Sequence, residues 1–387
     1  MHIGFLTSEY PHPRTGPAAG IGTSIKNMAE ALEEKGIQIS VFVYGQKENA
    51  IFTEGGIKFH LIQHQKFRFF GWYLHRKFLQ NYLNKYIAVD GIDTIEAPDW
   101  TGITAFMSLR CPLVIRMNGS DTYFCHLEKR PQKKKNFWFE KMALQGAEHL
   151  LSVSHFTARE SARLFNFKRK IRVIPNSIDT NSFQPLEGKT IPRSVLYFGS
   201  IIRKKGVLEL SEIFNLVAAR NPEAHLLLVG KDVVDRKTGR STKELMQEKF
   251  SQEAAKRVLW IENLPYDQIQ EEIAKAEVVV LPSFAEALPM IWIEAMAMEK
   301  ALVTSDIGWA KEVMVDGKTG FTVYPKDHKA YSEKILLLLE DAELSEKMGK
   351  AARKRVLEKF STDVVVEQNI KFYEGVVKSG KRTEKKN

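Results

Sequence analysis

Two glutamates separated by seven residues, Glu286 and Glu294, stand in a stretch that is otherwise apolar. Glu294 falls among Met290, Ile291, Trp292, Ile293, Ala295, Met296 and Ala297. A carboxylate in such company is costly unless something bonds it. Upstream, an apolar run at 277–281 ends in a turn that carries Glu286, and Pro289 opens a helix at a position its fixed φ suits. The N–H groups around residues 288–291 and the positive end of the helix dipole offer a place for phosphate. Carboxylates on either side of that phosphate would accept hydrogen bonds from hydroxyls. A ligand with diols flanking a pyrophosphate fits this layout, and a nucleotide sugar is such a ligand. Taken alone, Glu294 reads as readily as a salt-bridge partner and Glu286 as a helix cap.

Two further places suit phosphate or sugar. Ser200, Arg203, Lys204 and Lys205 lie between Gly199 and Gly206, after a strand at 194–198 and ahead of a helix. Cations at a strand's carboxyl end are well placed for pyrophosphate, although an exposed loop often carries them too. In the first half, a strand at 2–8 leads into a loop at 9–22 holding Gly16, Gly20 and Gly22, then a helix at 24–35. Such a loop lets backbone come close to a phosphate. A dinucleotide fingerprint needs a third glycine where Ile25 stands and a shorter loop, which sets nicotinamide-dependent oxidoreduction aside. Asp99, beyond a strand at 93–96, and Asn118, beyond one at 111–117, place polar groups where open α/β sheets bind ligands.

The spacing of the two glutamates, Pro282-Ser283 before them, Glu294-Ala295-Met296-Ala297, Ser305-Asp306-Ile307-Gly308, Glu312 and Asp316-Gly317-Lys318-Thr319-Gly320 together resemble a known signature. It is the donor site of retaining GT-B glycosyltransferases of family four (group 1). The resemblance implies an α/β GT-B fold, two Rossmann-like domains with mostly parallel sheets facing across a cleft that closes on its substrates. It implies transfer of a hexosyl group from a nucleoside diphosphate sugar to an acceptor hydroxyl, with retention, in cell-surface polysaccharide or glycolipid assembly. Glu286 would be the catalytic residue, orienting the donor sugar, and Glu294 would grip the ribose diol. Gly22, Ser200, Arg203, Lys205, Leu264, Ala287, Leu288 and Pro289 would complete the donor side, and Gly20, Asp99 and Asn118 the acceptor side.

The match has departures. Ser200 stands where the family has arginine, so Arg203 is expected to supply that charge. Asn118 stands where a histidine is frequent and cannot carry a proton. Ala287 and Trp309 replace glycines and are expected to reshape the sugar pocket. Gly230-Lys231-Asp232 and residues 262–266 resemble segments that line the base. No D-x-D triplet occurs, which removes the usual carriers of a metal in the other main class of glycosyltransferases. Neither metal nor cofactor is expected, and Lys205, Arg203 and helix N–H groups would offset the diphosphate. A nucleotide-sugar epimerase or hydrolase, and a noncatalytic nucleotide-sugar binder, remain open on the same features.

The elements that must hold these residues follow from length and pattern. A chain of 387 residues, 44% hydrophobic, is long for one core. The expected division is 1–183 and 193–362, with a linker at 184–192 rich in proline and polar residues and a turn at 175–179 between them. Strands at 36–44, 56–62, 150–153, 170–174, 224–229, 257–261, 277–281, 301–304 and 321–323 alternate with helices, among them 154–165, 207–219, 242–255, 328–339 and 344–360. That alternation implies mostly parallel sheets covered on both faces. A last helix at 364–377 is expected to pack back on the first domain, followed by a frayed tail.

The net charge of +10 gathers at 63–76, 128–135 and from Lys378 onward. An anionic membrane, an anionic glycan or lipid-linked acceptor, or plain solvent suits such patches. No nucleic-acid module is recognisable. A helix at 67–86 mixes aromatic and basic residues; it reads either as core-facing or as a contact surface near Phe69, Phe70, Trp72 and Arg76. No window reaches the roughly 20 apolar residues that span a bilayer, and no leader is visible, so a cytoplasmic location is expected. Cys111 and Cys125 lack a metal or disulfide spacing.

Overall fold

Strands buried along their whole length define two separate sheets. The structure, a computed structural model, describes every residue except Pro17, Asn263, Tyr266, Asp267 and 385–387, with backbone alone for 381–384. The chain divides into two compact units, Met1–Ser177 with the C-terminal helix, and Ile178–Ser361.

In the first unit the order is β1 (His2–Thr7), α1 (Gly20–Glu34), β2 (Gln38–Gln46), β3 (Ala50–Glu54), β4 (Ile57–Gln63), α2 (Gly71–Asp90), β5 (Thr94–Pro98), β6 (Leu113–Met117), α3 (Asp121–Leu127), α4 (Lys134–Gly146), β7 (His149–Ser152), α5 (His155–Phe165) and β8 (Ile171–Val173). The sheet runs β3-β4-β2-β1-β5-β6-β7-β8, parallel except for the β3–β4 pair. The second unit holds β9 (Ser194–Phe198), α6 (Val207–Arg220), β10 (His225–Val229), α7 (Thr242–Gln247), α8 (Gln252–Ala255), β11 (Val258–Ile261), α9 (Ile269–Lys275), β12 (Val278–Leu281), α10 (Met290–Ala297), β13 (Ala301–Ser305), α11 (Ala310–Val313), β14 (Phe321–Val323), α12 (His328–Glu340) and α13 (Ala342–Lys359). Its sheet is β11-β10-β9-β12-β13-β14, parallel throughout.

The last helix, α14 (Thr362–Glu384), belongs to the first unit. Its Val365, Val366, Tyr373 and Val376 join Ile25, Met28 and Leu32 of α1 on one face of the sheet. Leu79, Leu83 and Ile87 of α2 cover the other face with Leu144 of α4. Both faces of a parallel sheet are thereby removed from water, which is what its continuous apolar strands require.

Several boundaries differ from the sequence reading. Strand β3 went unread because its residues are half-exposed and its side chains carry little alternation; Gly55 and Gly56, both at positive φ, turn it antiparallel onto β4. The helix expected at 242–255 is two, because the Ser251 hydroxyl accepts from the Ala254 N–H at 3.2 Å and starts α8 afresh. Helices α3 and α4 went unread on either side of the stretch at 128–135, which reads only as a basic patch. Helix α1 begins at Gly20 rather than Ser24, and α14 continues through 378–384, where a frayed tail was expected. The chain leaves the first unit at Ser177, ahead of the expected linker. That linker lies within the second unit, where the Ile191 N–H donates to the Lys275 carbonyl at 2.8 Å.

One buried network ties α14 to the sheet. Arg116 of β6 donates to both oxygens of Glu96 on β5, at 2.6 and 3.1 Å, and to Asn369 Oδ1 at 2.7 Å. Tyr373 completes it by donating to Glu96 Oε2 at 2.6 Å. Removing Arg116 strands a buried carboxylate, whereas removing the Tyr373 hydroxyl subtracts one hydrogen bond. Arg116→Met is therefore expected to cost about 3–5 kcal/mol and Tyr373→Phe about 1–2 kcal/mol, read from urea unfolding; equal costs would show that the ion pair is not what the network protects.

Candidate active site

In the second unit the strand order reverses between β9 and β12, the neighbours from which the sheet grows in opposite directions. Ligands of open α/β sheets bind at the carboxyl ends of the strands beside such a reversal. Two loops leave there, 199–206 after β9 and 282–289 after β12, and they are stitched together. The Phe284 N–H donates to the Lys204 carbonyl at 2.8 Å. Gly206, at φ +72, ends the first loop and caps α6 so close to the Pro282 carbonyl that any Cβ would collide with it. Lys205 Nζ then meets Glu286 Oε1 at 2.5 Å.

Both members of this pair are largely out of water; Glu286 is 8% exposed. Tyr197, fully buried in β9, donates to the Ser200 carbonyl at 2.8 Å. Burial, with the Glu286 carboxylate adding to it, pushes the Tyr197 phenol well above its ordinary value. Tyr197 is a member of the arrangement that no spacing in the sequence singled out, since it alternates in an ordinary apolar strand.

Helix α10 starts at Met290, one residue later than expected, with Pro289 at its N-cap in an extended conformation. The first N–H groups of a helix lack acceptors within it; here the Trp292 N–H already turns back to the Pro289 carbonyl at 3.1 Å, so Met290 and Ile291 carry the N–H groups that begin the helix. Glu294 lies within α10 at 5% exposure, among buried Trp292, Ile293, Ala295, Met296 and Ala297. Ala287, Leu288 and Pro289 are buried between the Glu286 turn and the helix. A Cβ added at Gly199, at φ +126, would lie 3.4 Å from Ile291 Cδ1 in the first turn of α10. The structure thus gathers Gly199–Ser200, Lys205, Glu286–Pro289 and the start of α10 at one end of the sheet.

Arg203, expected to supply the missing arginine's charge, is engaged by a carboxylate of its own unit. Its guanidinium makes a two-pronged pair with Asp235, at 2.7 and 2.8 Å. These bonds from Arg203 hold the Asp235 carboxyl down at about 2. Asp232 likewise serves local structure, accepting from Ser241 Oγ at 2.7 Å and the Lys243 N–H at 3.0 Å. Gly230 packs against the Gly199 carbonyl where no Cβ fits. Leu264 is half-buried beyond β11, while Asn263 and Tyr266 of the same expected segment lie outside the described residues. Farther on, Asp316 accepts from the Thr322 N–H and Thr319 Oγ1 from the Val315 N–H, both at 2.8 Å. That part of the signature builds the turn into β14. Trp309, expected to reshape a pocket, is fully buried at the start of α11.

In the first unit the order reverses between β1 and β5. Gly20 and Gly22 lie at the carboxyl end of β1, in the first turn of α1 rather than in the loop. The Gly22 N–H is already engaged, donating to Glu9 Oε1 at 2.9 Å. Asp99 follows β5 and Asn118 follows β6, and Asp99 Oδ1 accepts from the Asn118 N–H at 2.9 Å. Asp99 is buried rather than presented to a ligand, so it positions the Asn118 backbone. Burial, opposed by the N–H bonds it accepts, pushes its carboxyl up to about 8.

Solved structures share this architecture. Sucrose-phosphate synthase from Thermosynechococcus elongatus matches over 98% of this chain and 99% of its own, with a TM-score of 0.78 at 19% identity. HepE from Anabaena, solved in complex with UDP-glucose, matches over 97% and 100% at 0.74 and 18%. The fold is therefore GT-B. Residues 179–355 match the family described as Glycosyl transferases group 1, and residues 18–182 match Glycosyltransferase Family 4. Alpha-maltose-1-phosphate synthase from Mycobacterium tuberculosis is 30% identical over 64% of this chain and 70% of that enzyme. The capsular polysaccharide biosynthesis glycosyltransferase CapM of Staphylococcus aureus is 29% identical over 47% and 46%. The chain spans 66% of the corresponding maltose-1-phosphate enzyme of Mycolicibacterium smegmatis. This chain belongs to the group 1 glycosyltransferases.

Two outcomes test the local physics. Gly206→Ala combines left-handed backbone strain with the Pro282 collision and is expected to cost at least about 2 kcal/mol in urea unfolding. Gly239→Ala, at φ +73 with open space around it, carries the strain alone; equal losses would remove the collision. Asp99, raised to about 8, stays protonated when folded but ionises above about pH 4 when unfolded. It therefore binds more protons in the folded state, and stability falls as pH rises between those limits. Asp99→Asn should gain on wild type in melting temperature from pH 4 to pH 8, and a constant difference would mean Asp99 is ionised in the fold.

Proposed function

We propose that this chain transfers a hexosyl group from a nucleoside diphosphate sugar to an acceptor hydroxyl, with retention at the anomeric carbon and without a metal. The observation that carries the reading is the Lys205–Glu286 pair at the reversal of strand order, beside α10 with its buried Glu294. Without donor, the two charges satisfy each other. An incoming diphosphate competes with Glu286 for Lys205 and finds the N–H groups at the start of α10. Glu286 then accepts hydrogen bonds from the donor sugar, and Glu294 from the ribose diol. The leaving phosphate assists the incoming hydroxyl on the same face of the sugar. The Anabaena structures with UDP and with UDP-glucose support a nucleotide sugar as donor.

The acceptor side falls to Gly20 and Asn118, with Asp99 holding Asn118 in place. Kinship with a capsular polysaccharide enzyme supports a role in cell-surface polysaccharide or glycolipid assembly. No helix among the described residues is long and apolar enough to cross a membrane. The setting proposed is the cytoplasm, with peripheral contact at the inner face of the cell membrane and a glycan or lipid-linked acceptor.

A panel of nucleotide sugars screened by thermal stabilisation should single out a donor, and product analysis should give the linkage. Glu286→Ala is expected to keep the fold and lose transfer by at least about tenfold, or ~1.4 kcal/mol of barrier, while Glu294→Ala mainly weakens donor binding. Undiminished turnover in Glu286→Ala would refute its role, and donor cleavage unaffected by any acceptor would indicate a hydrolase.

A further inference from the structure

Phe69 and Phe70 are 67% and 73% exposed just ahead of α2. Phe70 also holds φ 50, ψ 32 at the N-cap of α2. The left-handed region costs a side-chain-bearing residue about 1–2 kcal/mol, and an N-cap usually carries a small polar residue or glycine. Neither ring repays that cost by burial. Phe106, at φ 64, is a second phenylalanine in the same region of backbone space. Its ring centre lies 4.9 Å from that of Trp138, which is 45% exposed, in a tilted contact, while Trp72 packs 5.1 Å from Phe139. Tyr73 and Leu74 extend the exposed apolar surface along α2.

Arg76, expected on this surface, is withdrawn beneath it. Its guanidinium donates to the Trp72 carbonyl at 2.8 Å and the Gly102 carbonyl at 3.1 Å, and lies 4.0 Å from the Phe139 ring centre. The aromatic layer is thus braced from inside, and the strained backbone at Phe70 leaves its ring in solvent, a pattern found where strain serves function.

The charge around these rings has one sign. No aspartate or glutamate occurs in residues 55–89 or 129–139, the segments that carry the patch. Lys66, Arg68, Lys133, Lys134 and Lys135 lie in them, and the Arg68 guanidinium sits 5.5 Å from the Phe69 ring centre. Exposed aromatic tips ringed by cations form the composition that enters the headgroup and acyl boundary of an anionic bilayer. A second copy of this chain on the same patch would set like charges against each other.

We propose that Phe69, Phe70, Tyr73, Leu74 and Trp138 form a docking surface for an anionic lipid bilayer, with the two phenylalanines inserted and the flanking lysines on the headgroups. This surface stands independently of the sugar-transfer reading, since it lies within the first unit and uses no donor-side residue.

The test is sedimentation of the full chain with vesicles of phosphatidylcholine alone and with added phosphatidylglycerol, alongside tryptophan emission with bromine-labelled acyl chains. Wild type should partition onto the anionic vesicles, with emission shifted to the blue and quenched by the bromines. F69S/F70S should lose at least about tenfold in partitioning with a melting temperature no lower than that of wild type, because neither ring is buried and serine suits an N-cap. K133Q/K134Q should weaken binding to anionic vesicles only. Equal partitioning of wild type and F69S/F70S would overturn the proposal. So would binding without quenching, or a dimer in light scattering that F69S/F70S dissolves.

Discussion

An ammonium and a carboxylate held 2.5 Å apart and mostly out of water cannot be placed by two flexible loops acting separately. Each charge would pay to leave water, and the pair stabilises the fold weakly at best. What makes the contact possible is the approach of the loop after β9 to the loop after β12, close enough that Gly206 has no room for a side chain beside the Pro282 carbonyl. That approach depends in turn on β9 and β12 being neighbours in the sheet. The charge pair is therefore a consequence of sheet topology.

The first unit uses buried charge for the opposite purpose. Glu96, Arg116, Asn369 and Tyr373 satisfy one another almost completely, and they come from three elements, β5, β6 and α14, the last far from the other two in sequence. Such closed networks specify which helix packs where. Here the network and the apolar face of α14 together return the end of the chain to the unit in which it began. Buried charges thus serve packing in one unit and supply a candidate site in the other.

Much of this was legible in the residues. The alternation of apolar runs with amphipathic segments marked the buried parallel strands, because such strands leave no polar face and read as continuous apolar stretches. The pairing of Glu286 with Glu294, and Lys205 ahead of Gly206, marked one end of the second unit. Where the reading failed, exposure or shortness was the reason. The edge strand β3 carries few buried residues and α4 opens on lysines, while α3, though largely buried, has only 7 residues in which to show a period.

By itself the sequence determined which side chains could bond phosphate and hydroxyl, and that they sit where strands end, because side-chain chemistry and local periodicity are properties of neighbouring residues. Only the tertiary structure decided which of these charges meet. It gave Lys205 to Glu286, took Arg203 away to Asp235, buried Asp99 behind the Asn118 backbone and left Phe69 and Phe70 in solvent. Residues paired across tens of positions are set by strand order and by which backbone can pass close to which, and neither is written in any one segment.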